Sequence, residues 1–432
     1  MLDTDLAEGR TIVDSFALTR ASQVLTLEGD RGPRAGEAMS ELGIIDQGTV
    51  VVEAGKISWV GPHAEFIRKQ DAGELQVGQI HDCAGRVIMP ALVDPHTHLV
   101  WAGNRRDELE LRLGGADYEA IFAAGGGILS SVRQTRATDE DQLYAQSLRR
   151  IERMRACGAT TFEIKSGYGL ELEAELRQLR VARRLRDEAG FRVKTTCLAA
   201  HAFPEEARRS PADRARFIDE ICEVILPAVV AEDLADYADV FCDRGAFTKE
   251  EAARVLDKAH SLGLGLRVHA NEFGHTGGAE LAAEFAANSA DHLLYLDDHE
   301  RDALRESGVI ATLLPGTSLV LGKAFADGRA LVAAGVAVAI ASDCNPGSCA
   351  LENLAMVLGL ACYGCRLSPA EAVVAATHNA AVALDLAHEI GRVEAGLDAD
   401  LLVLDSDDYR DLVYHAGSPL VREVYSCGRR VK

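Results

Sequence analysis

Two histidines one residue apart, His96 and His98, stand in the segment Val93-Asp94-Pro95-His96-Thr97-His98 at the end of an apolar run. Side chains two apart on an extended segment point the same way. Both imidazoles can therefore aim at one point, and imidazole nitrogens bind zinc, iron or nickel well. Two polar histidines in a loop would look the same, so the pair needs company. Matching candidates follow other short apolar runs: His201, His269 in Val268-His269-Ala270-Asn271-Glu272, His292 in Ala290-Asp291-His292, and Asp343 in Ala341-Ser342-Asp343-Cys344-Asn345. His96, His98, His269 and Asp343 would supply three nitrogens and one oxygen, leaving a position for water, as catalysis needs. A divalent ion so held makes water nucleophilic at neutral pH. Glu272, three residues past His269, can sit beside the ion without binding it and shuttle a proton to a leaving nitrogen.

The elements that must position these groups alternate regularly. Strand-like runs lie at 87–93, 160–164, 193–199, 238–242, 266–270, 290–294, 309–313 and 336–341. Helical patterns separate most of them. Positions 142–157 place Leu143, Leu148, Ile151 and Met154 on one face and stop at Gly158. Positions 172–189 repeat this with Leu176, Leu179, Val181 and Leu185 and stop at Gly190. Thr248, followed by Glu250 and Glu251, opens a helix that runs to Leu262. Eight such units predict an α/β fold, a closed (β/α)₈ TIM barrel. An open doubly wound sheet would have fewer units and a glycine-rich phosphate loop after its first strand. In such barrels the C-terminal strand ends form the active face, which is where the candidates fall. The flanks are β-like, with runs at 48–54, 57–60, 401–404 and 421–425. Neither flank has enough strands to bury a core. We therefore expect one smaller composite β-rich domain, 1–85 plus 386–432, around a barrel spanning 86–385.

Composition narrows the classes. The chain has 432 residues, 48% of them apolar and 26% charged, with a net charge of −22. That charge argues against nucleic-acid binding, which rests on Lys and Arg neutralising phosphates. No apolar run approaches the ~20 residues that cross a membrane, and no secretory signal is visible at the acidic start. Ten cysteines are scattered along the chain; we expect reduced thiols in a cytoplasmic protein.

The segment 90–98, the later His and Asp positions, and Gly391-Arg392-Val393-Glu394-Ala395-Gly396-Leu397-Asp398-Ala399-Asp400-Leu401 resemble the amidohydrolase superfamily. Within it, His98-Leu99-Val100-Trp101-Ala102-Gly103-Asn104-Arg105, Ala124-Gly125-Gly126-Gly127-Ile128-Leu129, Lys165-Ser166-Gly167-Tyr168-Gly169-Leu170, Ala200-His201-Ala202 and Asp343-Cys344-Asn345-Pro346-Gly347-Ser348 resemble the imidazolonepropionase family. The resemblance implies that His96, His98, His269 and Asp343 hold one divalent metal per chain, zinc or iron. It implies that Arg105, Tyr168, His201, Glu272, Asn345, Gly347 and Ser348 line the substrate site, with His292 at the reacting centre. The implied reaction is hydrolysis of the cyclic amide of 4-imidazolone-5-propanoate to N-formimidoyl-L-glutamate, in histidine degradation. Catalysis would fall to Glu272, His292 and Asp343, and the assembly would be a homodimer acting on this small molecule.

The residues suit that chemistry. Activated water would attack the ring carbonyl, Asp343 could take up its proton, and Glu272 or His292 could pass one to the departing nitrogen. A guanidinium matches a carboxylate at two points, so Arg105 is the candidate for the propanoate tail. Tyr168 lies between two glycines, and its hydroxyl can hydrogen-bond a polar substrate. Gly125-Gly126-Gly127 reads either as backbone bending near substrate or as a plain turn. The alternative is another ring aminohydrolase of the superfamily, acting on a guanine- or cytosine-like ring. Ammonia release would separate the two. A catalytically dead barrel would tend to lose ligands, whereas this chain keeps every expected one. Cys344, the Cys362/Cys365 pair and the first twenty residues have no assigned role, and His378 is expected to be structural.

Overall fold

The alternating first flank folds as β1 (Ser15–Leu25), β2 (Ile44–Glu53), β3 (Lys56–Pro62), β4 (Gln79–Asp82) and β5 (Ile88–Pro90). Barrel strands follow: β6 (Leu92–Asp94), β7 (Ala159–Lys165), β8 (Arg192–Ala200), β9 (Tyr237–Cys242), β10 (Gly265–Ala270), β11 (Ser289–His292), β12 (Ile310–Leu313) and β13 (Val338–Ile340). The chain ends in β14 (Leu401–Leu404), β15 (Val421–Ser426) and β16 (Arg429–Arg430). This computed structural model describes residues 15–115 and 126–432. Ala124 and Gly125 of the glycine-rich motif lie outside the described residues, as do the first fourteen positions.

Strands β6 to β13 form one parallel sheet in chain order. Every residue of β7 is buried, as a strand enclosed on both faces requires. The sheet closes on itself at its C-terminal rim. Thr97 bridges Cys344, His98 N donates to Cys344 O at 3.0 Å, and Asp343 N donates to His96 O at 3.1 Å. The seam of the (β/α)₈ barrel therefore runs through the segments that carry three of the candidate ligands.

The helices start and stop on chemical signals. Asp139 caps Glu140–Ala156 by accepting from Gln142 N. Thr248 and Glu251 form a reciprocal capping box on Lys249–Ser261. Gly158 follows the first of these helices with φ +106°, and a Cβ there would lie 3.0 Å from Leu402 Cδ1. The glycine thus stops a helix and lets the barrel press against β14.

The second sheet, in the order β16-β15-β14-β5-β1-β2-β3 with β4 beside β1, draws strands from both chain ends. Its core includes Leu18, Val24, Val50, Val52, Ile57, Ile88, Leu401 and Val403. The apolar run at 87–93 is not one barrel strand. Its first part, β5, pairs with β1 and β14, and only β6 enters the barrel. A uniformly apolar run carries no mark of where it changes sheets. Arg192, in β8, ties the barrel to the segment leading into β14 through Glu389 at 2.5 Å and Asp398 at 2.6 Å. All ten cysteines are free thiols. Among the described residues, no helix is long and apolar enough to cross a membrane.

Candidate metal centre and active site

His96 and His98 follow β6, His269 lies in β10, His292 ends β11, and Asp343 follows β13. All five side chains are buried. Two residues apart, His96 and His98 face inward together, as their spacing predicts. Asp343 Oδ1 lies 3.6 Å from His96 Nε2 and 3.5 Å from His98 Nε2. His98 Nε2 faces His269 Nε2 at 3.4 Å. The His201 ring stacks on His98 with centroids 4.9 Å apart. Ligand atoms of three overlapping triads, His96/His98/Asp343, His96/His269/His292 and His98/His201/His269, each lie within 4.8 Å of one another. The structure thus gathers the four residues expected as ligands and brings His201 and His292 within reach of the same point.

Two carboxylates hold the rings from behind. His96 Nδ1 bonds Asp291 Oδ2 at 2.6 Å, and His269 Nδ1 lies 3.0 Å from Asp239 Oδ2. A carboxylate accepts, so His96 Nδ1 carries the proton and its Nε2 presents a lone pair inward. His96 Nε2 is buried with no hydrogen-bond partner. Burial, with other cationic groups nearby, holds His96, His98 and His292 well below the usual imidazole range. These rings are neutral, the form that binds a metal. Burial also pushes Asp343 up to about 6. Lone pairs and a carboxylate oxygen crowded in a dry site repel one another unless a cation sits among them. The donor set fits a divalent ion.

The cavity above has a volume of about 610 Å³, within the range of small-molecule sites. Arg105 lines it, held by Glu108 through Nε to Oε2 at 2.8 Å. The other oxygen of Glu108 accepts from Gly127 N at 3.0 Å. Gly127, at φ +81°, opens the helix Ile128–Arg136, so the described part of the glycine motif starts a helix and braces Arg105's partner through one backbone N–H. Gly347 lies directly under Arg105: a Cβ there would fall 1.8 Å from Nη1. Asn345 spends its side chain inside its own loop. It accepts from Gly347 N and Ser348 N at 2.8 Å each and donates to Ser348 Oγ at 2.8 Å.

Tyr168 is buried, and burial pushes its phenol up, so the hydroxyl keeps its proton. Its loop is gripped by Glu175, which accepts from Gly167 N, Gly169 N and Leu170 N at 3.1, 2.8 and 2.7 Å. His201 Nδ1 donates to Gly167 O at 3.1 Å, which leaves Nε2 as an acceptor, and burial lowers the ring to about 3. Glu272 is only 6% exposed, so it is no surface glutamate. Burial, and then the neighbouring Asp343, push it up to about 8. Its Oε2 lies 3.8 Å from His292 Nε2. Three residues at strand ends are in the left-handed region: Asn271 at φ +53°, His292 at +78° and Asp343 at +51°. For His292 this costs about 1–2 kcal/mol, tolerated where the site requires it.

Comparison with known proteins accords with this arrangement. A model of the amidohydrolase family matches residues 87–431. The imidazolonepropionase of Geobacillus kaustophilus (strain HTA426) is 44% identical over 414 residues, covering 95% of this chain and 96% of that protein. That of Shouchella clausii (strain KSM-K16) is 42% identical, over 96% of this chain and 92% of its own. This chain belongs to the imidazolonepropionase family of amidohydrolases. In fold it also resembles E. coli guanine deaminase, with TM-score 0.71, 16% identity and coverage of 97% of this chain and 99% of the other. An adenosine deaminase from Xanthomonas campestris, solved with bound zinc, has TM-score 0.68 and 20% identity over 96% and 92%.

Every described site residue expected of an imidazolonepropionase family member lines or borders this one cavity. Sequence reasoning gave no role to Asp239, Asp291, Lys165, Glu108 or Glu175. Glu108 stands three residues from Arg105 at a helix start, a spacing that could have suggested the pair. Asp291 and Asp239 are each the lone charge in a strand, which reads as an interruption until the barrel interior is known. Cys344 is fully buried and fills its place as a small apolar group, its backbone closing the barrel. Among the described residues, Cys362 and Cys365 gather no further ligands. His378 bonds Gly32 O at 2.7 Å, a structural contact.

Proposed function

We propose that this chain hydrolyses the ring amide of 4-imidazolone-5-propanoate to N-formimidoyl-L-glutamate, with His96, His98, His269 and Asp343 holding one divalent cation, zinc or iron. The observation that carries the reading is the meeting of neutral imidazole nitrogens with a buried carboxylate beneath a cavity that Arg105 lines. Family membership supports the substrate. A cation held there activates water and polarises the ring carbonyl. Arg105 binds the propanoate, its fork kept in place by Glu108. Tyr168 donates from its hydroxyl to the ring, and His201 accepts from a ring N–H. Asp343 takes up the proton of the attacking water. Glu272 carries a proton at neutral pH and delivers it to the departing nitrogen, with His292 3.8 Å away to relay it. We place the reaction in the cytoplasm, in a homodimer.

The test uses protein purified without chelator. Bound metal is measured, and loss of freshly made 4-imidazolone-5-propanoate is followed by ultraviolet absorbance, with the uncatalysed rate subtracted. Fast turnover with about one metal per chain and no ammonia supports the reading. A metal-loaded protein that leaves this compound untouched but frees ammonia from guanine or cytosine overturns it.

A further inference from the structure

Below the histidines, five charged side chains fill the centre of the barrel. Glu163 and Lys165 face inward from β7, Asp239 from β9, Arg267 from β10 and Asp291 from β11, and each side chain is 0% exposed. Charges so placed are costly unless each is paired. Arg267 donates to backbone, to Ala383 O at 3.0 Å and Pro95 O at 2.7 Å, and lies 3.7 Å from Asp291 Oδ2 and 3.9 Å from Glu163 Oε1. Among the described residues, Lys165 alone of the two cations reaches Asp239 as well: its Nζ lies 2.8 Å from Glu163 Oε1, 2.8 Å from Asp239 Oδ2 and 3.8 Å from Asp291 Oδ2. Asp239 Oδ2 is the atom 3.0 Å from His269 Nδ1, and Asp291 Oδ2 is the atom 2.6 Å from His96 Nδ1. One ammonium thus contacts both oxygens that set two histidine rings, from strands that do not neighbour each other or its own.

We infer that Lys165 is a positioning residue for the metal centre: through Asp239 and Asp291 its ammonium fixes the orientation of His269 and His96 toward a divalent cation. The inference rests on the metal reading above. Groups behind a ligand fix its ring and its tautomer, and losing one weakens metal binding about ten- to a hundredfold. An apolar side chain at 165 could fill the space but could not hold two carboxylate oxygens in register.

The test strips metal from the full chain and titrates it with zinc against a chromophoric chelator, comparing the parent with Lys165→Met, Asp239→Asn and the double variant. Lys165→Met should bind zinc about ten- to a hundredfold more weakly while keeping its circular dichroism. The double variant should be weaker than Asp239→Asn alone, but by less than the full Lys165→Met loss, because part of the lysine's effect runs through that carboxylate and part through Asp291. Cobalt in place of zinc should show a changed visible spectrum in Lys165→Met. Should that variant fail to fold, Lys165→Met with Glu163→Gln keeps the net charge of the cluster and is compared with Glu163→Gln alone, with the same weakening expected. Parent-like zinc affinity and cobalt spectrum in a folded Lys165 variant overturn the inference, as do losses that simply multiply in the double variant. A parent that binds no zinc or cobalt overturns the metal reading first, and this inference with it.

Discussion

His96 is held by Asp291, 195 positions further along the chain, whereas Arg105 is held by Glu108, three positions away. The contrast separates the floor of the cavity from its wall. The four floor groups expected as ligands come from barrel strand ends and are at most 2% exposed; His96, His269 and Asp343 are each fixed by a side chain on another element. Asp239 stands behind His269, and Thr317 donates to Asp343. Wall groups are fixed by their own loops: Gly347 and Ser348 by Asn345, and the Tyr168 loop by Glu175. A floor built this way couples each group to another part of the barrel. A wall built from local contacts can change its substrate preference while the floor stays as it is.

The sharpest way to break this distinction is His269→Ala. It should lose bound metal and lower kcat by ~10³-fold or more, since the cation supplies several kcal/mol of transition-state stabilisation. Metal analysis and turnover together check it, and a metal-loaded, active variant would remove the floor's claim to the chemistry. Next in size is Glu272→Gln, with metal retained and kcat down ~10²–10⁴-fold. Burial and Asp343 raise the Glu272 carboxyl to about 8, and it acts in its protonated form. The parent's rate should therefore fall as pH rises through that value, and the variant's residual rate should lack this limb. A variant that keeps the limb would assign it to another group.

Wall substitutions should act on KM. Arg105→Met removes a charge-assisted hydrogen bond worth roughly 1.5–3 kcal/mol. KM should rise about ten- to a hundredfold with metal content unchanged. A fall in kcat with KM unmoved would place Arg105 in the floor's company. The smallest effect belongs to Gly347→Ala. Its new methyl displaces the Arg105 guanidinium, and KM should rise several-fold, less than in Arg105→Met. An unchanged KM would show that Arg105 does not need its present seat.

The same contrast explains what could be read from the amino-acid order. Period-two spacing and strand-end positions revealed His96, His98, His269, His292 and Asp343, because those signals are local. Eight strand–helix repeats revealed the barrel for the same reason. The split of 87–93 between two sheets was hidden, since β5 and β6 share one apolar character and differ only in their distant partners. Lys165 stood in a recognised motif, yet its contacts are on β7, β9 and β11, and no spacing along the chain encodes that meeting. Arg105 was found as a lining residue, but its pairing with Glu108 was not, because an arginine–glutamate pair at a helix start is ordinary on any surface.

The seam that joins Thr97 to Cys344 also sets a clock. During synthesis, His96 and His98 emerge on the order of tens of seconds before Asp343. Until the last strand docks against the first, Asp343 is not beside the histidines. On the ligand set proposed above, an unclosed chain lacks one of the four donors, so a cation held by all four would favour the closed barrel by mass action.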